Sequence, residues 1–158
     1  MRSIENKIIV ITGAGSGFGR ATALAVAARK GIPVILDVNE IGLAETAALL
    51  KDKGAGYAQH LLDVRDKARW EIIATAVIAE FGSTHALVNN AGVMCRPESF
   101  LDVAEDHGRF IFEVNFWGMF HGMRAFVPHL AKQPEANIVN VASTLALIGS
   151  PMHGVYCA

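Results

Sequence analysis

The chain has 158 residues, of which 52% are hydrophobic and only 18% are charged, so it suits one globular domain with an apolar core. Its 14 basic and 15 acidic side chains leave a net charge of −1 without a basic block, which excludes nucleic-acid or anionic-membrane binding as its main activity. No apolar run approaches the ~20 residues of a membrane span, and the start, MRSIENKIIVITG, does not resemble a secretory signal.

The thiols and imidazoles of the chain point to no metal site. Cys95 and Cys157 form no CxxC pair, and the six histidines show no ligand spacing. Two cysteines without a disulfide-like spacing favour a reducing compartment. We therefore expect a cytoplasmic protein without a bound metal.

The first elements alternate between strand and helix. Residues 7–12 (KIIVIT) form a short β-branched run, typical of a strand buried on both faces. A glycine-rich turn over residues 13–19 precedes a run of helix formers over residues 20–31 (RATALAVAARKG), with two basic residues predicted in the last turn and the final glycine as the stop. Residues 33–38 (PVILDV) predict a second strand, with proline at its first position.

The same alternation continues through the middle of the chain. Asn39 is predicted to cap a helix that runs to about residue 53. Residues 56–64 (GYAQHLLDV) predict a third strand, and Asp66 opens a third helix with apolar residues at helical spacing. Residues 85–92 (HALVNNAG) predict a fourth strand that runs into a tight turn.

The last third of the chain adds one helix and one strand. Residues 104–130 predict a single long helix, and residues 136–143 (ANIVNVAS) predict a fifth strand. The resulting βαβαβαβαβ order is typical of a doubly wound α/β fold with a parallel sheet. We predict one Rossmann-like domain over residues 1–158.

The glycine-rich turn TGAGSGFG, residues 12–19, lies where a strand meets a helix. There, free N–H groups and the helix dipole can bind phosphate, and glycines let the backbone approach it closely. GxGxxG is absent because Phe18 and Arg20 stand where glycine is needed, and no Gly-Lys-Ser/Thr follows as in a Walker A loop. The pattern is T-G-x-x-x-G-x-G, and a simple connecting turn is the alternative.

Further motifs accompany this turn. NNAG at residues 89–92 ends the fourth strand, and Ser143 ends the fifth, 28 positions after Asn115 and 13 before Tyr156. Together they resemble the short-chain dehydrogenase/reductase family, which pairs TGxxxGxG and NNAG with a catalytic Asn-Ser-Tyr-Lys set. The resemblance runs from about residue 5 to the last residue. It implies a parallel sheet in the order 3-2-1-4-5-6-7, of which this chain supplies 3-2-1-4-5 and lacks the last two strands.

The resemblance implies a dinucleotide at the carboxyl ends of the strands. Asp37 would bind the adenosine ribose hydroxyls and repel a 2′-phosphate. Ser16 and Val38 stand where NADP-dependent relatives carry a basic residue, so NAD(H) is favoured over NADP(H). A capping role for Asp37 and a purely structural role for Asn89 are the alternatives. The cofactor-binding residues implied are Gly13, Gly15, Ser16, Gly17, Phe18, Gly19, Asp37, Val38, Asp63, Val64, Asn90, Ala91 and Gly92.

The family reaction is reversible hydride transfer between nicotinamide and an alcohol or carbonyl carbon, with a proton moved by the protein. The resemblance implies that Tyr156 is the general acid/base, that Ser143 hydrogen-bonds the substrate oxygen and that Asn115, at a kink in its helix, organises a water. A free phenol has a pKa near 10. In the family a lysine four positions after the tyrosine lowers it, and that position, 160, lies past Ala158. Ordinary structural roles for Ser143 and Asn115 are the alternative.

We therefore expect an NAD(P)-dependent oxidoreductase acting on a secondary alcohol or ketone, represented by the front part of a longer chain. This piece is expected to bind NAD(H) weakly, to turn over little and to associate through an apolar fifth-strand edge. A non-catalytic dinucleotide-binding or regulatory protein and an NADP-linked reductase are the alternatives.

Two expectations concern ligands and partners. Side chains near the substrate pocket, judged by their position relative to the motifs, are Met94, Arg96, Leu145, Met152 and His153. An apolar surface on the long helix suggests a homo-oligomer, unless these side chains simply cover the sheet. The helix residues concerned are Trp117, Phe120, Met123 and Phe126.

Overall fold

The computed structural model describes residues 3–94 and 96–158, and within them five strands form one parallel sheet in the order β3-β2-β1-β4-β5. This confirms the predicted fold class and strand order. The strands are β1 (Ile8–Thr12), β2 (Ile32–Asp37), β3 (Ala58–Leu61), β4 (Ala86–Asn89) and β5 (Asn137–Asn140).

Helices connect the strands, as parallel pairing requires. They are α1 (Gly17–Ala28), α2 (Glu40–Asp52), α3 (Lys67–Phe81), α4 (Glu105–Phe112), α5 (Gly118–Leu130) and the single turn α6 (Gly154–Cys157). A π-helical segment, Glu113–Trp117, joins α4 to α5, and a 3₁₀ turn, Thr144–Ala146, follows β5.

Two apolar clusters cover the central strands. One contains Val10 and Leu36 with Trp70 and Phe126, whose rings meet edge to face at 6.1 Å. The other contains alternate strand residues, such as Ile11, and the inner faces of α1 and α2. All five residues of β1 are buried, which is why its sequence is apolar without alternation.

The predicted caps are present at two helices. Asn39 Oδ1 accepts from the Gly42 N–H at 3.1 Å, and Asp66 Oδ1 accepts from the Arg69 N–H at 2.9 Å. These bonds satisfy N–H groups that have no partner inside the helix. Both helices therefore begin where the sequence predicted.

The end of α1 differs from the prediction. The helix ends at Ala28, so its two basic residues lie outside the last turn. Lys30, not Gly31, has the positive φ, at 59°. Gly31 serves close packing instead, because a Cβ there would lie 2.7 Å from Val26 Cγ1.

The predicted single helix over residues 104–130 is interrupted. The π-helical segment contains Asn115, at the position where an irregularity was expected. Of the apolar residues predicted to form one surface, Phe126 is fully buried and Met123 packs against the core, whereas Trp117 and Phe120 are exposed. Only part of that predicted apolar surface is therefore exposed and available to a partner.

β5 is shorter than predicted and forms an edge of the sheet. It covers four residues, and the Val141 N–H bonds to the Asn89 carbonyl just beyond them. All four strand residues are exposed, including Val139 at 49%. In the described residues this edge carries apolar side chains without cover.

Candidate active site

Two neighbouring cavities open at the carboxyl ends of the strands. The first, of about 420 Å³, is lined by most of the predicted cofactor residues: Gly13, Ser16, Gly17, Phe18, Asp37, Val38, Asp63, Val64, Asn90, Ala91 and Gly92. The second, of about 380 Å³, is lined by the three predicted catalytic residues Asn115, Ser143 and Tyr156. Phe18 and residues 90–93 belong to both linings, so the cavities share a wall.

Gly15 and Gly19 were predicted to bind the cofactor but lie outside both linings. A Cβ on Gly15 would lie 2.9 Å from Asp37 Cγ, and one on Gly19 would lie 2.7 Å from Asn90 Nδ2. Both glycines therefore shape the first cavity indirectly, because they let neighbouring segments approach each other closely.

The amino end of α1 faces the first cavity. Ser16 holds the N-cap position with an extended backbone, and its side chain makes no capping hydrogen bond. The first N–H groups of the helix are thus not bonded by the cap, which suits an anion such as pyrophosphate. Gly13 supports the turn with a φ of 64°, in the left-handed region that favours glycine.

Asp37 ends β2 and reaches the glycine loop. Its Oδ2 accepts from the Gly15 N–H at 2.7 Å, and its Oδ1 accepts from the Asn39 N–H at 2.8 Å. Each carboxylate oxygen has a further lone pair that can accept from a ribose hydroxyl. Together with the open end of α1, this carboxylate fits the phosphate and ribose groups of a dinucleotide.

Arg20 and Thr46 hold the glycine loop by side-chain hydrogen bonds, and no motif in the sequence points to either residue. The buried Thr46 hydroxyl donates to the Ala14 carbonyl at 2.9 Å. Arg20 Nη2 donates to the Gly15 carbonyl and pairs with Glu45 at 2.7 Å. Arg20 and Thr46 come from different helices, so no local pattern could have predicted the contact.

Thr12 anchors the NNAG segment. Its Oγ1 accepts from the N–H groups of Asn90 and Ala91, each at 2.9 Å, and it is 2% exposed. The Asn90 side chain donates back to the Thr12 carbonyl at 2.9 Å. The segment that forms the shared wall is therefore fixed to the end of β1.

Asn89 lies beneath this wall in a structural position. It is 2% exposed, and its Nδ2 donates to Asn140 Oδ1 at 2.8 Å across β4 and β5. A Cβ on Gly122 of α5 would lie 2.9 Å from Asn89 Oδ1. These contacts favour the structural interpretation of this side chain.

Asp63 is held by a neighbouring cation. Arg65 Nε lies 2.9 Å from Asp63 Oδ1, and the Arg65 guanidinium lies over the Phe110 ring at 5.1 Å. The side-chain hydrogen bonds from Arg65 lower the pKa of Asp63, and they raise the pKa of Arg65. Asp63 therefore stays ionised at the margin of the first cavity, with part of its acceptor capacity already used.

Asn115 is held by the backbone of the shared wall. Its Oδ1 accepts from the Val93 N–H, and its Nδ2 donates to the Val93 carbonyl, both at 2.8 Å. The π-helical segment places the amide for this paired contact, which explains why asparagine is tolerated mid-helix. One N–H of the amide remains free of this pair.

Ser143 and Tyr156 supply the hydroxyls of the second cavity. Ser143 lies just after β5, where its Oγ accepts from the Leu145 N–H at 3.2 Å and begins the 3₁₀ turn. The Ser143 hydrogen is free to donate to a ligand. Tyr156 lies in α6 and is half-buried. The structure thus brings both side chains to the same cavity from elements 13 positions apart.

The expected neighbours of the substrate are corrected in part. Met94 lines the second cavity. The other four side chains do not belong to its lining: Arg96, Leu145, Met152 and His153. Cys95 lies outside the described residues.

The part of the chain that the structure describes holds no metal-ligand cluster and no membrane-spanning helix. No group of three histidine, cysteine, aspartate or glutamate side chains is arranged there to hold a metal ion. No described helix has the length and apolar character needed to cross a membrane.

Known proteins resemble this chain over its whole length. SadH of Mycobacterium tuberculosis is 39% identical over 158 residues, and human estradiol 17-beta-dehydrogenase 11 is 38% identical over 159. These matches cover 100% and 99% of this chain but only 57% and 52% of those proteins. The chain therefore spans about half the length of these curated relatives.

Solved structures agree. A short-chain dehydrogenase/reductase from Burkholderia phymatum in complex with NAD has a TM-score of 0.94 and 39% identity, covering 99% of this chain and 56% of that one. NAD⁺-bound xylitol dehydrogenase has a TM-score of 0.93 and 28% identity, covering 98% of this chain and 60% of that one. The family model of the short chain dehydrogenases matches residues 7–158, and the chain belongs to that family.

Proposed function

We propose that residues 1–158 form one dinucleotide-binding domain of an oxidoreductase that transfers hydride between NAD(H) and a secondary alcohol or ketone. The observation that carries the proposal is the shared wall between the two cavities. One cavity holds the glycine loop and Asp37, and the other holds Ser143 and Tyr156. A ligand that spans the wall brings its far end to both hydroxyls.

The first cavity supports NAD(H) over NADP(H). Asp37 offers two acceptor oxygens to ribose hydroxyls, and its charge repels a 2′-phosphate. Val38, the next residue, supplies no compensating cation. Two structural relatives were solved with NAD, which supports the same choice.

Side chains of this domain would hydrogen-bond the substrate oxygen and transfer its proton. Bound nicotinamide supplies the hydride acceptor or donor. Tyr156 would exchange the proton with the substrate oxygen, and Ser143 would donate a hydrogen bond to it as negative charge develops. Asn115 is a positioning residue that fixes Val93 in the shared wall and offers its remaining N–H to a water.

We also propose self-association as a homo-oligomer in the cytoplasm. Exposed aromatic side chains follow one another from the π-helical segment into α5, where Phe116, Trp117 and Phe120 form a chain of edge-to-face contacts. An aromatic surface of this kind is typical of protein interfaces. Cys157 is a free thiol, in keeping with a reducing compartment.

The test of this function is cofactor selectivity. We expect the chain to bind NADH more tightly than NADPH in a fluorescence titration. Asp37→Asn removes the charge at nearly constant shape, so the ratio of the two dissociation constants should fall about tenfold, equivalent to about 1.4 kcal/mol. Asp52→Asn, at the exposed end of α2, is the matched control.

The control should keep the selectivity of the parent chain. Thermal unfolding of each variant separates lost selectivity from lost structure, because Asp37 also bonds the Gly15 N–H. An equal affinity for both dinucleotides in the parent chain, or a ratio unchanged by Asp37→Asn, would contradict the assignment to NAD(H).

A further inference from the structure

The peptide between Ala14 and Gly15, in the glycine loop, is bonded to the protein at both of its polar groups. Its carbonyl, from Ala14, accepts from the buried Thr46 hydroxyl at 2.9 Å. Its N–H, from Gly15, donates to Asp37 Oδ2 at 2.7 Å. This peptide therefore has no free N–H to offer to a ligand of the first cavity.

The next peptide, between Gly15 and Ser16, is bonded on one side only. Its carbonyl accepts from the Arg20 guanidinium through Nη2. Its N–H, from Ser16, has no hydrogen-bond partner among the described residues. The peptide is trans, and in a trans peptide the N–H and the C=O point in opposite directions. The Ser16 N–H therefore points away from Arg20, and Ser16 belongs to the lining of the first cavity.

Arg20 is anchored where it can hold this peptide without touching a ligand. Its Nε donates to Thr46 Oγ1 at 2.9 Å, and its Nη2 pairs with Glu45 at 2.7 Å. Its own backbone N–H donates to the Ser16 carbonyl at 3.0 Å, so one residue holds two consecutive carbonyls of the loop. Arg20 lines neither cavity, and the effect of its hydrogen bonds on a ligand is therefore transmitted by the loop.

Without the guanidinium, nothing described would keep the peptide between Gly15 and Ser16 in this orientation. Glycine accepts a wide range of backbone angles, so the peptide plane can rotate at position 15 at little cost. A rotated peptide would present the Gly15 carbonyl to the cavity in place of the Ser16 N–H. The exchange matters for an anion, because an N–H donates to a phosphate oxygen and a carbonyl oxygen repels it.

We propose that Arg20 is a positioning residue that keeps the Ser16 N–H directed into the first cavity, where it donates to a phosphate oxygen of the bound dinucleotide. This inference rests on the proposed function, because it assigns a further residue to the same site. Asp37 keeps its own bonds to the Gly15 and Asn39 N–H groups when Arg20 is changed. Loss of the guanidinium should therefore weaken the binding of the phosphates and spare the binding of the adenosine.

ADP and adenosine separate the phosphates from the rest of the nucleotide. Dissociation constants for both are measured by NMR titration of the 158-residue chain, and the ratio of the adenosine constant to the ADP constant reports the diphosphate. Arg20→Met removes the donors and keeps a long side chain, and it should lower this ratio at least about fivefold, equivalent to about 1 kcal/mol. The adenosine constant should stay close to that of the parent chain, which also shows that the variant is folded.

The Ser16 amide reports its own hydrogen bond. In the parent chain, ADP should move the Ser16 N–H proton resonance downfield, because a hydrogen bond to phosphate deshields the proton, and adenosine should not. In Arg20→Met, the response to ADP should be lost. The measurement on the parent chain tests the inference even where Arg20→Met does not fold.

Two variants separate orientation from charge. Arg29→Met removes an exposed arginine whose Nη1 bonds the Ala25 carbonyl of its own helix at 3.2 Å, and it should leave the ratio unchanged. Glu45→Gln removes the acidic partner of Arg20 and leaves the donors to the Gly15 carbonyl in place. It should change the ratio by less than about twofold, because an exposed ion pair contributes little.

The outcomes are distinguishable. A parent chain that binds neither NADH nor ADP would remove the proposed function, and this inference with it. Binding of NADH with a ratio that Arg20→Met leaves unchanged, or with a Ser16 resonance that does not respond to ADP, would overturn the role of Arg20 and leave the dinucleotide site standing. A ratio that Arg29→Met lowers equally, or that Glu45→Gln raises as much as Arg20→Met lowers it, would assign the effect to charge and would also overturn that role.

Discussion

Thr12 shows how one hydroxyl can fix a functional wall. It is buried at the end of β1 and accepts from two consecutive N–H groups of the NNAG segment. Residues 90–92 of this segment lie in a loop after β4, where backbone groups have no strand partner to satisfy them. The hydroxyl therefore supplies the hydrogen-bond acceptor that a neighbouring strand would otherwise provide, at the point where the two cavities meet.

Removal of this hydroxyl should destabilise the chain. Thr12→Val keeps the shape but leaves the N–H groups of Asn90 and Ala91 without a partner, so we expect the free energy of unfolding to fall by about 2–4 kcal/mol. Thr12→Ser keeps the oxygen and should cost about 1 kcal/mol. Urea denaturation measures both, and equal losses in the two variants would show that the hydroxyl is not the stabilising group.

At the scale of elements, the π-helical segment Glu113–Trp117 joins α4 to α5 and also contacts the loop that contains Val93. It presents Asn115 to Val93, and the amide pairs with both backbone groups of that residue. A regular helix would rotate this side chain away, since each residue turns the helix by a fixed angle. The irregularity is therefore what connects α4 and α5 to the shared wall.

Loss of the Asn115 amide should make the shared wall more mobile around Val93. In Asn115→Leu, the Val93 N–H loses its acceptor, so its hydrogen exchange measured by NMR should accelerate at least about tenfold. Phe116→Leu, in the same segment, keeps the amide pair and serves as the control. Exchange at Val93 that is unchanged in Asn115→Leu, or equally fast in both variants, would contradict this role.

Much of the element order was predictable because it depends on local composition. The β-branched runs gave the buried central strands, and Asn39 and Asp66 marked helix starts that the structure confirms. The bracing of the glycine loop by Arg20 and Thr46 was not predictable, because it joins two helices through tertiary packing. The left-handed backbone of Lys30 was not predicted either. Glycine is needed at position 31 for close packing against Val26, and that requirement comes from tertiary contacts.

In the candidate site, too, some features were predictable from the sequence and others depend on tertiary packing. Asp37 and the three side chains predicted to be catalytic were identified from motifs, and the structure places them at two adjoining cavities. Gly15 and Gly19 also carry the motif, and the structure shows them outside both linings, at positions of close packing. A motif records which residue types occur together, whereas only coordinates distinguish a residue that lines a cavity from one that supports it.

For the whole molecule, the two edge strands of the sheet differ in how far their residues are exposed. β3 and β5 are the outer strands, and every residue of β5 is exposed. Ile138 and Val139 present apolar side chains there, at 39% and 49% exposure. Exposed apolar strand edges promote association between chains.

We therefore expect the 158-residue chain to associate at micromolar concentration in size-exclusion chromatography with light scattering. Val139→Lys should shift it towards the monomer, because a charge on an edge strand disfavours pairing. Ile72→Lys changes an exposed apolar residue of α3, at 57% exposure and away from both sheet edges, and should have less effect. A parent chain that elutes as a monodisperse monomer would contradict the expectation.

The wall between the two cavities has a thermodynamic consequence. Residues 90–93 contact both spaces and are fixed from below by Thr12 and from the side by Asn115. Any ligand that shifts or stiffens these residues changes the affinity of the opposite cavity, and such a coupling is reciprocal. A ligand of the first cavity that tightens binding in the second cavity is itself held more tightly by the second ligand, by the same factor. The order in which the two arrive alters the rates and leaves this factor unchanged.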